Sequence, residues 1–202
     1  MNGYPIVMQG SSVRALVIGG GSVASRKVAS LLRSGASVHL VAPRLSPELS
    51  HTAAEGKFKW TDAEYSESLI GDANFIFAAT DSREVNDRVA SDARRMGRLV
   101  NVSDEGARGD FFTPAVHRDG PLIIAVFASG VPAAAARIRD FFARSLDARV
   151  PLAVTRLASI RSSRLSQGGS PTWNDASSEL IGDDFLSSIE TGEFDRRVER
   201  WR

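Results

Sequence analysis

The 202-residue sequence predicts an α/β fold with a mostly parallel sheet. Short apolar runs rich in β-branched residues alternate with amphipathic helical segments along the first half of the chain. In addition, a glycine turn joins the first apolar run, residues 13–18, directly to the first helical segment. A strand that passes through such a turn into a helix is the beginning of a βαβ unit, so we expect parallel strands covered by helices.

The first helical segment has one apolar face. Starting at Ala24, apolar residues recur at i, i+4, i+7 and i+8, and Gly35 is a suitable end for the helix. Residues 37–42 then form a second apolar, β-branched run that stops at Pro43. Together these segments complete a right-handed strand–helix–strand unit.

The alternation continues to residue 103. Three more strands are expected, at residues 58–60, 74–79 and 99–103. A helix is expected over residues 83–96, with Asp81 or Ser82 as its N-cap. These elements would extend the same sheet.

The pattern changes after residue 103. Two strand-like runs, residues 110–116 and 121–127, are separated only by HRDG, which indicates an antiparallel hairpin. Helical patterns follow from residue 131, with QGGSP at residues 167–171 as the clearest internal linker. We therefore expect three parts, namely residues 1–107, 108–147 and 148–202.

Composition excludes several classes of protein. Lysine and arginine number 25 against 24 acidic residues, so the net charge of +1 predicts neither a nucleic-acid nor a membrane partner. The absence of cysteine excludes disulfides, zinc–thiolate sites and thiol nucleophiles. Residues 1–10 do not resemble a signal peptide and no apolar run is long enough to span a membrane, so we expect a cytoplasmic protein.

Neither a resident metal site nor serine hydrolase chemistry is expected. The three histidines, His39, His51 and His117, do not share the spacing of paired metal ligands. The sequence also lacks the Gly-x-Ser-x-Gly elbow of serine hydrolases.

The glycine turn is the main candidate binding motif. Gly19, Gly21 and Ala24 give the spacing Gly-x-Gly-x-x-Ala between a strand and a helix. Small residues there let the backbone N–H groups at the start of the helix approach a pyrophosphate. The motif therefore predicts dinucleotide binding, with a structural glycine turn as the alternative.

The end of the second strand leaves the type of dinucleotide open. It reads Ala42-Pro43-Arg44, without the acidic residue that usually binds the ribose hydroxyls of NAD. Arg44 would favour the 2′-phosphate of NADP, or it is a solvated loop residue.

Two further strand ends supply polar residues to the same rim. Thr80 and Asp81 follow small residues that leave room for a nicotinamide ribose, and Asp81 is more readily explained as a helix cap than as a catalyst. Asn101 lies near the end of the next strand and is also expected to contact the cofactor. Asp104 is the better catalytic candidate, because no helix that it would cap follows immediately.

Residues 108–147 are expected to form a homodimer interface. The hairpin and the alanine-rich helix carry more apolar surface than a chain of this size would bury alone. Arg137 and Arg139 on that helix either recognise carboxylates or are ordinary surface residues.

Taken together, these motifs resemble the precorrin-2 dehydrogenase family, which includes the dehydrogenase and ferrochelatase module of siroheme synthases. The resemblance covers residues 4–147 and includes LVIGGGSVASRK at 16–27, VAP at 41–43, AATD at 78–81 with Asn86, LVNV at 99–102 with Asp104, Phe111 with Pro114, GPL at 120–122 and ARIR at 136–139.

This resemblance implies a Rossmann-like fold, a hairpin dimerisation segment and a helical C-terminal tail. The implied reaction is NAD-dependent oxidation of the tetrapyrrole precorrin-2 to sirohydrochlorin, and some members also insert Fe²⁺ to make siroheme. Ser22, Val23, Pro43 and Arg44 fall where the family contacts the dinucleotide, which favours NAD. Asp104 matches the family's important aspartate, proposed to act as a base in both reactions.

The sequence also departs from the family pattern. The turn at residues 127–133, FASGVPA, lacks one glycine and the serine before proline, and Asp110 replaces the usual Cys or Ser. A non-catalytic NAD- or tetrapyrrole-binding module with a Rossmann fold is therefore the alternative function. Residues beyond 150 match only loosely as a helical dimer region, and without a methyltransferase module we expect a free-standing version of the enzyme.

Overall fold

The computed structural model describes residues 3–103, 108–168 and 170–201. The chain folds into two compact units, Met1–Phe112 and Thr113–Arg202. The three-part division expected from the sequence, with boundaries after residues 107 and 147, stays a prediction.

The first unit is built on a five-stranded parallel sheet. Its strands are β1 (Arg14–Ile18), β2 (Ser37–Val41), β3 (Lys59–Thr61), β4 (Phe75–Ala78) and β5 (Leu99–Val102). They are ordered β3-β2-β1-β4-β5, and every neighbouring pair is parallel. The sheet confirms the predicted α/β, Rossmann-like fold. Its topological switch point lies between β1 and β4, where the chain crosses from one half of the sheet to the other.

Three helices cover this sheet, namely α1 (Ser22–Arg33), α2 (Pro47–Ala54) and α3 (Arg83–Arg95). Val28 of α1 packs with Val17 in the core on one face, whereas Val89 of α3 packs with Leu16 on the other. Consecutive residues of β1 thus enter opposite cores, as the alternation of side chains along a strand requires. Helix α2 was not among the predicted elements. Its N-cap is Ser46, whose hydroxyl oxygen accepts a hydrogen bond from Leu49 N–H.

Residues 108–112 run along the edge of β5. Asp110 N–H donates to the Val100 carbonyl at 2.7 Å, and the Asp110 side chain accepts from Val100 N–H at 3.0 Å. The same carboxylate accepts from Arg94 Nε at 2.9 Å. The Phe111 ring lies edge-on to Phe75 and Phe77, at centroid distances of 5.2 and 5.4 Å. The expected strand over residues 110–116 is therefore wrong at its start, because residues 110 and 111 bond to β5 instead.

The second unit begins with the predicted antiparallel hairpin. Strands β6 (Ala115–Asp119) and β7 (Leu122–Val126) pair with Asp119 opposite Leu122. The turn contains only Gly120 and Pro121, because most of the expected HRDG connection belongs to the ladder. Gly120 has φ +52°, a conformation that glycine adopts without steric cost.

In the described part of the second unit five helices follow the hairpin, namely α4 (Pro132–Ser145), α5 (Val150–Gly168), α6 (Ser170–Leu180), α7 (Phe185–Thr191) and α8 (Glu193–Glu199). Leu180 and Phe194 are among the buried residues of its core. The expected linker at residues 167–171 falls where α5 gives way to α6. In the described parts of the chain, no helix has the length and apolar character that crossing a membrane requires.

Candidate dinucleotide site

A cleft of about 620 Å³ opens at the carboxyl ends of β1, β2 and β4. It is lined by residues 18–21, 41–46, 63–65, 79–81, 84, 85 and 88. Open parallel sheets bind their ligands at this edge, beside the switch point. The cleft is therefore the candidate site for the predicted dinucleotide.

The three consecutive glycines after β1 differ in the space around them. Gly19 has φ +119°, and an added Cβ would lie 2.3 Å from the Ala79 carbonyl oxygen. A Cβ on Gly20 would lie 1.8 Å from the Arg44 carbonyl oxygen. Around Gly21, in contrast, no atom of the described residues comes within 4 Å of an added Cβ. Gly19 and Gly20 are thus needed for packing, and Gly21 leaves open space at the start of α1.

The start of α1 offers that space backbone donors that have no partner within the helix. Gly21 is the N-cap and has no side chain to cap the helix, and the first turn contains no acidic residue. Ser25 N–H donates to the Gly21 carbonyl at 3.0 Å, so the N–H groups of residues 22–24 precede the first intrahelical bond. Together with the helix dipole, these donors favour an anionic group such as a pyrophosphate.

Most predicted cofactor residues gather around this cleft. Gly19, Gly21, Pro43, Arg44, Thr80 and Asp81 line it. Ser22, Val23 and Ala24 form the first turn of α1, where Ala24 is fully buried and can offer only its backbone. Each of these assignments to the cofactor remains a prediction.

The structure places Asn101 outside the cleft lining. Asn101 is 5% exposed on β5, and its Nδ2 donates to the Phe111 carbonyl at 2.9 Å. The predicted catalytic residue, Asp104, lies outside the described residues; it follows Ser103, whose N–H donates to the Ala78 carbonyl.

The expected capping role of Asp81 is wrong. The N-cap of α3 is Ser82, whose hydroxyl oxygen accepts a hydrogen bond from Val85 N–H at 3.3 Å. Asp81 is therefore an exposed carboxylate on the rim of the cleft.

Sequence reasoning missed the far end of the cleft, which includes Tyr65 and Arg88. Tyr65 is buried, and its hydroxyl donates to Asp92 at 3.0 Å. Burial, together with the Asp92 carboxylate, raises the Tyr65 pKa. Arg88 Nη2 donates to the Tyr65 carbonyl at 2.8 Å, and its guanidinium lies 5.4 Å from the ring centroid. The only available signal was that Tyr65 follows β3, whose end meets the same sheet edge.

The candidate arginines of α4 differ in their surroundings. Arg139 Nη2 donates to the neighbouring Asp140 at 2.6 Å, whereas Arg137 is exposed. Both interpretations of these residues therefore stay open. Among the described residues, no group of three or more histidine or acidic side chains could hold a metal ion.

Comparison with known proteins identifies relatives of this chain. A family described as "Putative NAD(P)-binding" matches residues 6–115. Siroheme synthase from Chromobacterium violaceum is 40% identical over 164 residues, covering 81% of this chain and 34% of the relative. Siroheme synthase from Methylobacillus flagellatus is 32% identical over 199 residues, covering 94% of this chain and 42% of the relative. The chain thus spans about a third to two fifths of the length of these curated relatives.

A solved structure is similar over almost the whole chain. It is SirC, a precorrin-2 dehydrogenase, with a TM-score of 0.78 and 25% sequence identity. The alignment covers 98% of this chain and 99% of SirC. These comparisons confirm the predicted dinucleotide-binding fold and the predicted family resemblance.

Proposed function

We propose that this chain, which belongs to the NAD(P)-binding family matched over residues 6–115, oxidises precorrin-2 to sirohydrochlorin with NAD. Its similarity to a precorrin-2 dehydrogenase and to siroheme synthases supports the proposal. The observation that carries the proposal is the open start of α1 beside Gly21, within a chain that aligns along its length with a precorrin-2 dehydrogenase. Overall, the reaction converts precorrin-2 and NAD⁺ into sirohydrochlorin, NADH and a proton.

In this proposal the residues of the cleft hold the cofactor. The N–H groups of residues 22–24 bind the pyrophosphate, and Gly21 leaves room for it. Pro43 and Arg44 border one end of the cleft, and Thr80 and Asp81 form the rim at the end of β4. Bound NAD supplies the two-electron acceptor that the protein itself lacks.

We assign the proton transfer to Asp104. Loss of a hydride from carbon leaves the substrate with a proton to release, and a carboxylate beyond the end of β5 is suited to accept it. The assignment is supported by the position of Asp104 in the sequence, directly after Ser103, and by its match to the family's aspartate.

A spectroscopic assay tests the proposed reaction. Purified protein with NAD and precorrin-2 should produce NADH, with its absorbance near 340 nm, together with sirohydrochlorin in a ratio of about one to one. Protein that binds NAD but yields neither product would contradict the dehydrogenase assignment.

We extend the proposal to insertion of Fe²⁺ into sirohydrochlorin, with release of two protons from the macrocycle. The names of the curated relatives support this second activity, because siroheme is the iron-containing product. Addition of Fe²⁺ after the oxidation is complete should then produce the siroheme spectrum faster than a control without protein. An equal rate in both samples would limit the chain to oxidation.

The alternative is a module that binds NAD or a tetrapyrrole without turnover. The turn at residues 127–133 motivates this candidate, because it departs from the pattern of the family that the sequence resembles. Ser129 in this turn adopts φ +38°, a conformation more suited to glycine. Tight binding of both ligands without NADH formation would support the alternative over the enzyme.

We also propose that the protein is a homodimer. The support is an exposed apolar face on α4, where Ile138, Phe141 and Phe142 are 42%, 61% and 50% exposed at spacings of i, i+3 and i+4. Faces of this kind are typical of protein interfaces. Under this proposal residues 108–147 form the dimerisation segment and residues 148–202 a helical domain, and the chain acts in the cytoplasm on the free NAD pool.

A further inference from the structure

Asn86 is a buried polar residue of α3 beside the cleft. Its side chain is fully buried, and within the described parts of the chain the side-chain hydrogen bonds of Asn86 all go to Thr80. Asn86 Oδ1 accepts from Thr80 N–H at 3.2 Å and lies 2.8 Å from Thr80 Oγ1. Asn86 Nδ2 donates to the Thr80 carbonyl at 3.0 Å. The amide therefore binds the N–H group, the carbonyl and the hydroxyl of Thr80.

The same stretch of backbone contacts the glycine turn on its other side. An added Cβ on Gly19 would lie 2.3 Å from the Ala79 carbonyl oxygen and 3.1 Å from Thr80 N. The peptide between Ala79 and Thr80 is thus enclosed by Gly19 and by Asn86. Any movement of Thr80 away from Asn86 would change the contact with the glycine turn.

We propose that Asn86 is a positioning residue for the dinucleotide. It holds the Ala79–Thr80 peptide against Gly19 and so fixes the rim of the cleft next to the start of α1. A fully buried amide is costly unless its polar atoms are paired, and Asn86 is paired with Thr80, which lines the cleft. A ligand site is held in its binding geometry by such supporting contacts.

This inference rests on the proposed function to the extent that NAD is the ligand. Thr80 follows β4, and Pro43 follows β2, which lies on the other side of β1 in the sheet. We therefore expect Asn86 to influence the part of NAD that lies beyond the pyrophosphate, and to leave binding of the adenosine half unchanged. AMP represents that half alone.

Calorimetric titration with NAD and with AMP tests the role of Asn86. Asn86→Ala should weaken NAD binding by about tenfold or more, because displaced positioning groups have effects of this size, and should change AMP binding less than about twofold. Val89→Ala is the matched control, since Val89 is equally buried on the same helix and lies outside the cleft lining. Val89→Ala should lower the melting temperature but leave both affinities unchanged.

The outcomes separate this inference from the proposed function. Wild-type protein that does not bind NAD would contradict the proposed function itself. Wild-type binding of NAD together with equal NAD affinities of Asn86→Ala and Val89→Ala would overturn the role of Asn86. A parallel loss of NAD and AMP affinity in Asn86→Ala would also overturn it, because that result indicates general damage to the unit.

Thr80→Val provides a second test if Asn86→Ala does not fold. This variant keeps the shape of Thr80 and both backbone bonds to Asn86 but removes the hydroxyl. A smaller loss, about threefold for NAD with AMP unchanged, is expected because Asn86 loses one of its three bonds to Thr80, together with the two bonds between that hydroxyl and Ser82. NAD affinity equal to that of the wild type would overturn the proposal in that case.

Discussion

The carbonyl oxygen of Arg44 lies 1.8 Å from the position that a Cβ on Gly20 would occupy. The loop after β2 therefore closes directly onto the glycine turn, and Ser46 N–H donates to the Gly20 carbonyl at 2.8 Å. The next residue, Gly21, faces open space instead. Two adjacent glycines thus have separate roles, one in folding and one in ligand access.

Substitutions at these two glycines should separate stability from cofactor binding. Gly21→Ala should retain its free energy of unfolding to within about 1 kcal/mol, as for a change at an N-cap. It should bind NAD at least tenfold more weakly, because the methyl group enters the pyrophosphate space. Gly20→Ala should lose about 2 kcal/mol or more, since the loop at Arg44 must move. Urea unfolding and calorimetry measure both, and wild-type NAD affinity in Gly21→Ala would contradict the proposed pyrophosphate site.

Asp104→Asn should separate binding from chemistry. The variant should keep wild-type affinity for NAD, because the proposed pyrophosphate site consists of the backbone N–H groups of residues 22–24. NADH formation from precorrin-2 should fall by about 10² to 10⁴-fold, the usual effect of removing a general base. Ser103→Ala is the neighbouring control and should retain turnover. If Asp104→Asn turns over at the wild-type rate, solvent or another group accepts the proton.

The Lys27 amine should make stability depend on alkaline pH. Burial, with added repulsion from Arg26, lowers its pKa from 10.5 to about 8, and the amine lies 5.8 Å from the Phe77 ring centroid. Between these two values the unfolded chain binds the proton more readily than the folded one. The free energy of unfolding should therefore rise from pH 8 to pH 10.5, by roughly 1–3 kcal/mol from this group.

Lys27→Met is the test of that dependence. The substitution keeps an unbranched side chain over Phe77 but removes the titrating amine. The unfolding free energy of Lys27→Met minus that of the wild type should fall as the pH rises from 8 to 10.5, because only the wild type gains stability from this group. A difference that stays constant over this range would show that the pKa of Lys27 is not lowered.

Ser129→Gly should stabilise the protein. Ser129 has φ +38°, and the following Gly130 has φ +85°, so two successive residues adopt left-handed conformations. A residue with a Cβ is strained there by about 1 kcal/mol, and glycine relieves this strain. We expect a gain of about 0.5–1 kcal/mol in urea unfolding. The matched control is Ser162→Gly inside α5, which should cost about 1 kcal/mol, and a similar loss in Ser129→Gly would contradict the strain.

Phe141→Glu should convert the proposed dimer into a monomer. The Phe141 ring is 61% exposed and contacts Phe142, with a centroid distance of 5.6 Å. A charge placed in an apolar interface would be buried without a partner, which opposes association. Light scattering at micromolar concentration should give the mass of one subunit for this variant and of two for the wild type. Leu186→Glu, at an exposed leucine of α7, should leave the mass unchanged; a monomeric wild type would contradict the dimer.

The regular elements could be predicted because their signals are local. The periodicity of α1 and the apolar runs of β1 and β2 are each contained within a few consecutive residues. The structure places α3 at residues 83–95, close to the expected range of 83–96. Local patterns of this kind also predicted the glycine turn and therefore the position of the cleft.

Features that depend on contacts between distant residues could not be predicted in the same way. The bonds from Asp110 to Val100 join positions whose relation no periodicity indicates, so residues 110–112 were expected to belong to the hairpin. Tyr65 and Arg88 are 23 positions apart and meet only because β3 and α3 reach the same edge of the sheet. The family motif contained Asn86, but only the structure shows that its partner is Thr80.

Asp110 has a consequence for how the protein behaves at high concentration. An edge strand with free N–H and C=O groups is a template on which strands of other molecules can add, as in amyloid formation. At β5, Asp110 bonds to both backbone groups of Val100, and its charge lies beside that edge. At the opposite edge, β3 has only three residues and offers little length for pairing. The Asp110 carboxylate therefore equips the sheet to resist edge-to-edge aggregation.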